Sequence, residues 1–536
     1  MIRSILKKEF LKTHLYFYAT IILSIGIIVY FAYNLNFSFT TIEPESMMWY
    51  RFVHLEQKPY DIFANLFLIL GALIAITQFV PERIKNRIKL MTHLPISMSK
   101  SLFLHLVVGL SIVFIFSLFL SIILSFIIQN YYPIEILGIF YKDFIFYTIG
   151  AFLTYLSLAS AILERDTRIA ILKFLLGLMT VFIFMKNRFY AVDLLWISVL
   201  IMLFYINLDS FYSIKYQRLR NIGFLIFAGF CSAYIVFSGY SLYKSKYEKT
   251  FNKYYIFYSS IKDDFIYQKN FGDHQFEYGI KDKETFEQKL YESYLPFVYW
   301  RNLDIQGKLP LHVNGQVFSK QDIKTSRLSF AYNPKYLQKL EVEFYPLINP
   351  DTNLGMIKFP EHMFYVGKNE IKVYNYDHKF SFELSKEINE MLNALSVSFP
   401  IKQTWGKATN MKPYDLGYLM LDSKGKLFNI KRENSIVQVQ EVTYPKGIQI
   451  AFIKLSENKQ KKLAGYAIDT LSNIYILNWD FKFKKLDIKG FDYKTMKFQF
   501  ISNPLYYLFR FDDDKTYNAT VFSKKLTKIK EVSLED

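Results

Sequence analysis

Residues 62–80 and 101–128 are apolar runs, and only the segment VPERIKNRIKLMTHLPISMSK (80–100) separates them. About 20 apolar residues span the hydrocarbon core of a bilayer, so each run is long enough to cross. No water reaches the backbone there, and a lone crossing segment must be helical. The joining segment carries Arg83, Lys85, Arg87, Lys89 and Lys100 against one acid, Glu82. Short loops this rich in Lys and Arg stay on the cytoplasmic side. Its apolar residues have helical spacing: Ile84, Ile88 and Met91 share one face, Leu94 lies near the end, and Pro95 stops the helix. The sequence therefore predicts two spans with a short, basic, amphipathic cytoplasmic helix between them.

The same criteria place further spans at 15–35, 144–163, 169–185, 191–207 and 222–243, seven in all. Lys and Arg concentrate at the start of the chain, in 80–100, in ERDTR (164–168) and in 208–221, alternating with loops poorer in them. With seven spans that asymmetry predicts a cytoplasmic N-terminus and an extracytoplasmic position for everything after residue 243; a six-span division, with 169–207 divided differently, would place the polar half in the cytoplasm. Residues 1–14 are amphipathic: Ile2, Ile5, Leu6, Glu9 and Phe10 follow helical spacing, which predicts an interfacial helix lying on membrane lipid. Charge within the spans is scarce. Lys173 sits about one turn inside its span and is expected to snorkel inward, toward the cytoplasmic end, and His105 is expected to be packed or hydrogen-bonded.

The net charge of the 536-residue chain is +18. Scattered lysines and cytoplasmic-loop positives account for it, and no nucleic-acid-binding motif accompanies it. The single cysteine, Cys231, excludes an intrachain disulfide and a multi-cysteine metal site. The basic start runs into an apolar stretch too long for a signal-peptide core, so the first run reads as a retained anchor.

Beyond residue 243 the character changes to Lys, Asp, Asn and Tyr. Runs such as KLEVEFYPL, EIKVYNY, KFSFEL, SIVQVQEV, IQIAFIKL and NIYILNW alternate as half-buried strands, and a helix is expected at 385–395. Residues 417–428, opening Gly417-Tyr418 and bearing Asp422, resemble 465–475, opening Gly465-Tyr466 and bearing Asp469. A period near 50 residues with short strands is the pattern of β-propeller blades. The expected architecture is an α-helical membrane domain of about seven spans (1–243), a linker (244–260) and an all-β or mostly-β, propeller-like soluble domain (261–536).

An N-terminal interfacial helix, a span, a second span, and then an acid with a basic helix ending in Leu94-Pro95-Ile96-Ser97 resembles the membrane subunit of ABC transporters of the type-2 exporter superfamily. The resemblance covers about residues 1–210; the seventh span and the large polar half depart from it. It implies that Glu82, Arg83, Ile84, Arg87, Ile88, Lys89, Leu94 and Pro95 belong to a coupling helix that docks on a separate ATPase subunit. It also implies a second permease copy or homologue. The Gly-Lys phrases at 406–412 and 422–427 lack the phosphate-loop spacing, so ATP and its Mg are expected on the partner and no cofactor in this chain. The implied setting is a bacterial inner membrane. The alternative is a non-transporting, membrane-anchored β-domain scaffold or sensor.

The polar half resembles a family of uncharacterised bacterial domains found behind such permease segments. Trp300-Arg301-Asn302-Leu303, Lys412-Pro413-Tyr414-Asp415 and Ser502-Asn503-Pro504 carry that resemblance. No catalytic or metal site is expected. His274, His312, His362 and His378 are scattered, and Asp512–Asp514 lacks the Gly and Glu of a calcium loop.

Overall fold

The computed structural model describes residues 2–41, 48–84, 87–92, 95–186, 193–214, 222–247 and 253–535. The chain divides into two compact units, Met1–Tyr247 and Glu248–Asp536.

The first unit is helical. Its elements are α1 (Ile2–Thr41), α2 (Met48–His54), α3 (Ile62–Ile84), α4 (Ile88–Thr92), α5 (Met98–Gln129), α6 (Leu137–Leu163), α7 (Thr167–Lys186), α8 (Asp193–Tyr212) and α9 (Ile222–Tyr247). Among the described residues, five stretches are long and apolar enough to cross a membrane: Lys7–Thr41, Ile62–Ile84, Met98–Gln129, Ile134–Leu163 and Thr167–Lys186. In α8 the apolar stretch is shorter, Trp196–Tyr212.

Helix α6 is the centre of this unit and packs against α3, α5, α7 and α8. Lipid gives little hydrophobic drive between helices, so small residues set the contacts. A Cβ at Gly71 of α3 would overlap the Ala151 carbonyl oxygen of α6. Polar side chains join the same helices: Asn207 Nδ2 donates to the Leu156 and Leu203 carbonyls at 2.9 and 2.8 Å. At one end, Lys58 lies 2.9 Å and the Tyr60 hydroxyl 2.8 Å from buried Asp143.

Two expectations change here. Residues 2–10 are not a separate interfacial helix; they continue into the first span as one 40-residue helix. No Pro or Gly interrupts 2–14, so nothing in the backbone forces a bend there. The fourth span also starts earlier than residue 144, because α6 begins at Leu137 after a 3-10 turn at Ile134–Ile136.

The second unit is made of antiparallel sheets. Four-stranded meanders occupy 254–286, 403–442 and 450–485, and a three-stranded one occupies 344–375. Four strands between Lys497 and Glu535 take a fifth, Leu328–Tyr332, which pairs with Lys497–Ser502 in the register Phe330↔Phe500. A separate two-stranded hairpin, Leu311–Val313 with Gln316–Phe318, lies before that fifth strand. The sheets are separate antiparallel meanders, and among the described residues no strand pairing closes them into a barrel. A strand at Tyr254–Ser259 falls inside the stretch expected as linker.

The repeat is structural. Asp422 is fully buried and accepts from the Lys424 and Lys426 amides at 2.9 and 2.8 Å. Asp469, equally buried, accepts from Leu471 and Asn473 at 2.9 and 2.8 Å. Each carboxylate closes the turn between two strands by taking amides two and four residues ahead. KFSFEL is not a strand: helix Phe382–Ala394 begins inside it and buries Leu384, Ile388 and Leu392 at helical spacing.

Gly465 has φ +147°, and a Cβ there would overlap the Lys454 carbonyl oxygen. Gly490 also has positive φ, +79°, but open space around it. We expect Gly490→Ala to cost about 1 kcal/mol through backbone strain alone. Gly465→Ala should cost roughly 3 kcal/mol or more, since backbone must shift as well. Tryptophan-fluorescence unfolding of the full chain measures both.

Candidate functional site

The polar side chains of the helical unit gather at helix ends. Glu82, at the end of α3, is 2% exposed, and its Oε1 lies 3.0 Å from both Lys8 Nζ and Lys12 Nζ of α1. Lys12 also reaches Glu9 Oε1 at 2.6 Å and donates to the Gln78 carbonyl at 3.1 Å. Glu9 is fully buried and faces His105 Nε2 of α5 at 3.5 Å. The ring's other nitrogen is 2.7 Å from the Ser101 carbonyl oxygen. Gln78 completes the group: its Nε2 donates to the His105 carbonyl at 2.7 Å, and its Oε1 accepts from the Tyr155 hydroxyl of α6 at 2.7 Å. Two carboxylates and two ammonium groups thus balance in a low-dielectric setting, where isolated charges would be very costly.

A second cluster adjoins the end of α3. Arg83 Nη1 donates to the Ile162 and Glu164 carbonyls at the end of α6, where a helix leaves carbonyls unpaired. Glu164 is fully buried; it accepts from the Arg165 amide and the Ser213 hydroxyl, each at 2.9 Å. Its other oxygen is 2.6 Å from Lys173 Nζ, which also donates to Ser210 at 2.8 Å. Lys173 thus reaches toward the 164–168 turn, where a buried acid holds its ammonium.

The basic segment hangs from these clusters. Ser97 caps α5, accepting from the Lys100 amide at 3.4 Å. Helix α4 buries Ile88 and exposes Lys89 and Leu90, and Arg87 just before it is exposed. The expected single face is not formed, since Ile84 is 75% exposed while Ile88 is 7% exposed. Pro95 is exposed, and Leu94 lies outside the described residues. Helix α3 runs through Pro81 to Ile84, so Glu82 and Arg83 belong to it and not to the helix beyond. Of the interfacial residues, Ile2, Ile5 and Leu6 lie in the helical backbone of α1, and Phe10 is 53% exposed. The sequence reading missed Lys8, Lys12, Gln78 and Tyr155. The usable signal was Glu9, an acid on an apolar helical face.

In the second unit, the Lys412-Pro413-Tyr414-Asp415 phrase forms another buried ionic group. Lys412 Nζ lies 2.6 Å from Asp415 Oδ1 and 3.0 Å from Glu457 Oε1, with no lysine side-chain surface exposed. Burial pushes the Glu457 carboxyl up against the pull of Lys412. Asp513 takes the Lys515 and Thr516 amides at 3.0 and 2.7 Å, so the acidic triplet is a hydrogen-bonded turn. His362 pairs with Arg432 at 3.1 Å, and Met363 is buried. Among the described residues, no group of three His, Cys, Asp or Glu could hold a metal.

The folds define a class: a multi-pass membrane protein with a large antiparallel β half. Residues 255–522 match the family described as a domain of unknown function, DUF4857, and the chain belongs to it. No curated protein and no solved structure matches the chain.

Lys173→Met leaves Glu164 buried without its ammonium partner and should cost about 3–5 kcal/mol; thermal unfolding of the detergent-solubilised chain checks this, and adding Glu164→Gln should recover part of the loss. Lys412→Met removes the pull that opposes the raised Glu457 pKa. A carboxyl raised in the folded state contributes stability below its ordinary pKa that is lost as pH rises through the folded one. The variant's β half should therefore lose more unfolding temperature between pH 5 and pH 8 than the native chain does, as read by tryptophan fluorescence.

Proposed function

We propose that this chain is the membrane-spanning subunit of an ATP-binding-cassette transporter, moving an unassigned substrate with energy from a separate ATPase. One observation carries the reading. Lys89 is exposed on a short helix beside buried Ile88, Arg87 is exposed just before it, and the helix comes shortly after Glu82 and Arg83, which are bonded to α1 and to the end of α6. A push on such a helix has a path of ion pairs and hydrogen bonds into the helices that would have to move.

In this reading the ATPase binds the basic segment on the cytoplasmic face of a bacterial inner membrane and carries ATP and Mg. Two permease copies, or one with a homologue, complete the assembly. The N-terminus is cytoplasmic, seven spans cross, and the β half is extracytoplasmic. Its meandering sheets act as blade-like supports for a substrate- or partner-binding face.

The test uses Arg87→Glu and Lys89→Glu together. Arg83 is left alone, because it donates to the end of α6 and its reversal would damage the helical unit itself. Purification of the tagged native chain should bring down an ATPase and measurable ATP hydrolysis. The double variant should fold with unchanged thermal stability and lose most of the ATPase. Co-purification unaffected by the two reversals, or no ATPase with the native chain, overturns the reading.

A further inference from the structure

The Ser502-Asn503-Pro504 phrase borders a cleft of about 440 Å³ in the β half. Lys462 and Lys524 line it together with Thr325, Ser326, Gln460 and Ser502, and no carboxylate does. The phrase is held rigidly. Asn503 Oδ1 accepts from the Leu505 and Tyr506 amides, both at 2.9 Å, and the Ser502 hydroxyl donates to the Ser326 carbonyl at 2.8 Å. Ser502 then accepts from Lys524 Nζ at 3.0 Å, and the same ammonium lies 4.1 Å from the centre of the Tyr507 ring.

Lys524 is thus placed without an acid. Lys524 is exposed as a residue, and its ammonium is placed between a buried hydroxyl and an aromatic face. A cation–π contact offsets only part of the lost hydration. Lost hydration and the nearby charge of Lys462 push the Lys524 ammonium down to about 8. An ammonium has three donors, and the bond to Ser502 uses one. A second lysine on the same cleft adds positive charge, and no carboxylate is among the residues that line it. Two ammonium groups over a polar floor suit a multiply charged oxyanion, for which lysine acts as a point-charge partner.

We propose that this cleft binds a phosphate group, with Lys462 and Lys524 as its cationic partners and Ser502 as the residue that positions Lys524. A free phosphate and a phosphate on a lipid headgroup share that chemistry. The inference does not depend on the transporter reading, because it rests on the β half alone.

Bound phosphate would hold the Lys524 ammonium protonated and slow its reaction with an amine-directed ester. The full-length chain in detergent is labelled at pH 8 with and without inorganic phosphate, and separately in bicelles with and without phosphatidic acid. Peptide mass spectrometry reads Lys524 against the exposed hairpin residue Lys424. A ligand that raises the Lys524 pKa by about one unit lowers its labelling roughly ten-fold at low fractional deprotonation, and several-fold at pH 8. We expect that protection at Lys524 and not at Lys424, and its loss in Lys462→Met. Protection by inorganic phosphate assigns a soluble ligand; protection by phosphatidic acid alone assigns a headgroup. No protection by either, or equal protection in Lys462→Met, overturns the proposal. Lys462 is exposed, so its replacement leaves the fold intact.

Discussion

Two carboxylates, Glu9 and Glu82, are buried near the same ends of α1, α3 and α5 in a unit otherwise built from apolar helices. Neither has a low-energy position there without a cation. Lys12 answers both, at 2.6 and 3.0 Å, and so ties the first helix to the third. Gln78 and Tyr155 extend the tie to α6. The packing of the start of α1 against α3 and the root of the basic segment are held by this one set of pairs. Association of helices in lipid rests on close packing and a few polar contacts, so such a set has unusual weight.

The neighbouring Arg83–Glu164–Lys173 group repeats the logic. Glu164 follows the end of α6, Lys173 comes from α7 and Arg83 from α3, so the group joins three helices. The β half uses the same device once, at Lys412, and elsewhere relies on buried turn aspartates such as Asp422 and Asp469. These carboxylates satisfy backbone amides and leave the strands to pack on aromatics.

Much of this was legible in the sequence, for reasons that differ by element. The long apolar runs were readable because bilayer thickness leaves little freedom in length. The Gly417 and Gly465 repeat was readable because left-handed backbone and turn closure demand particular residues. What failed was local. KFSFEL alternates like a strand, yet Leu384, Ile388 and Leu392 win as a helical face against the neighbouring sheet. The 84–91 stripe splits because α3 continues through Pro81 to Ile84, which leaves Ile84 exposed while α4 buries Ile88. The partners of Glu82 were invisible because they lie about 70 residues away, on a helix whose basic residues read as headgroup contacts.

The tie between Lys12 and Glu82 is the claim on which the helical unit depends, and a double-mutant cycle on Lys12→Met and Glu82→Gln measures it. Thermal unfolding of the full chain in detergent would be followed for the native protein, both single variants and the double variant. The account predicts an interaction energy above roughly 1 kcal/mol, as for groups within one buried network. Losses that add to within roughly 0.5 kcal/mol would show two independent side chains and contradict it.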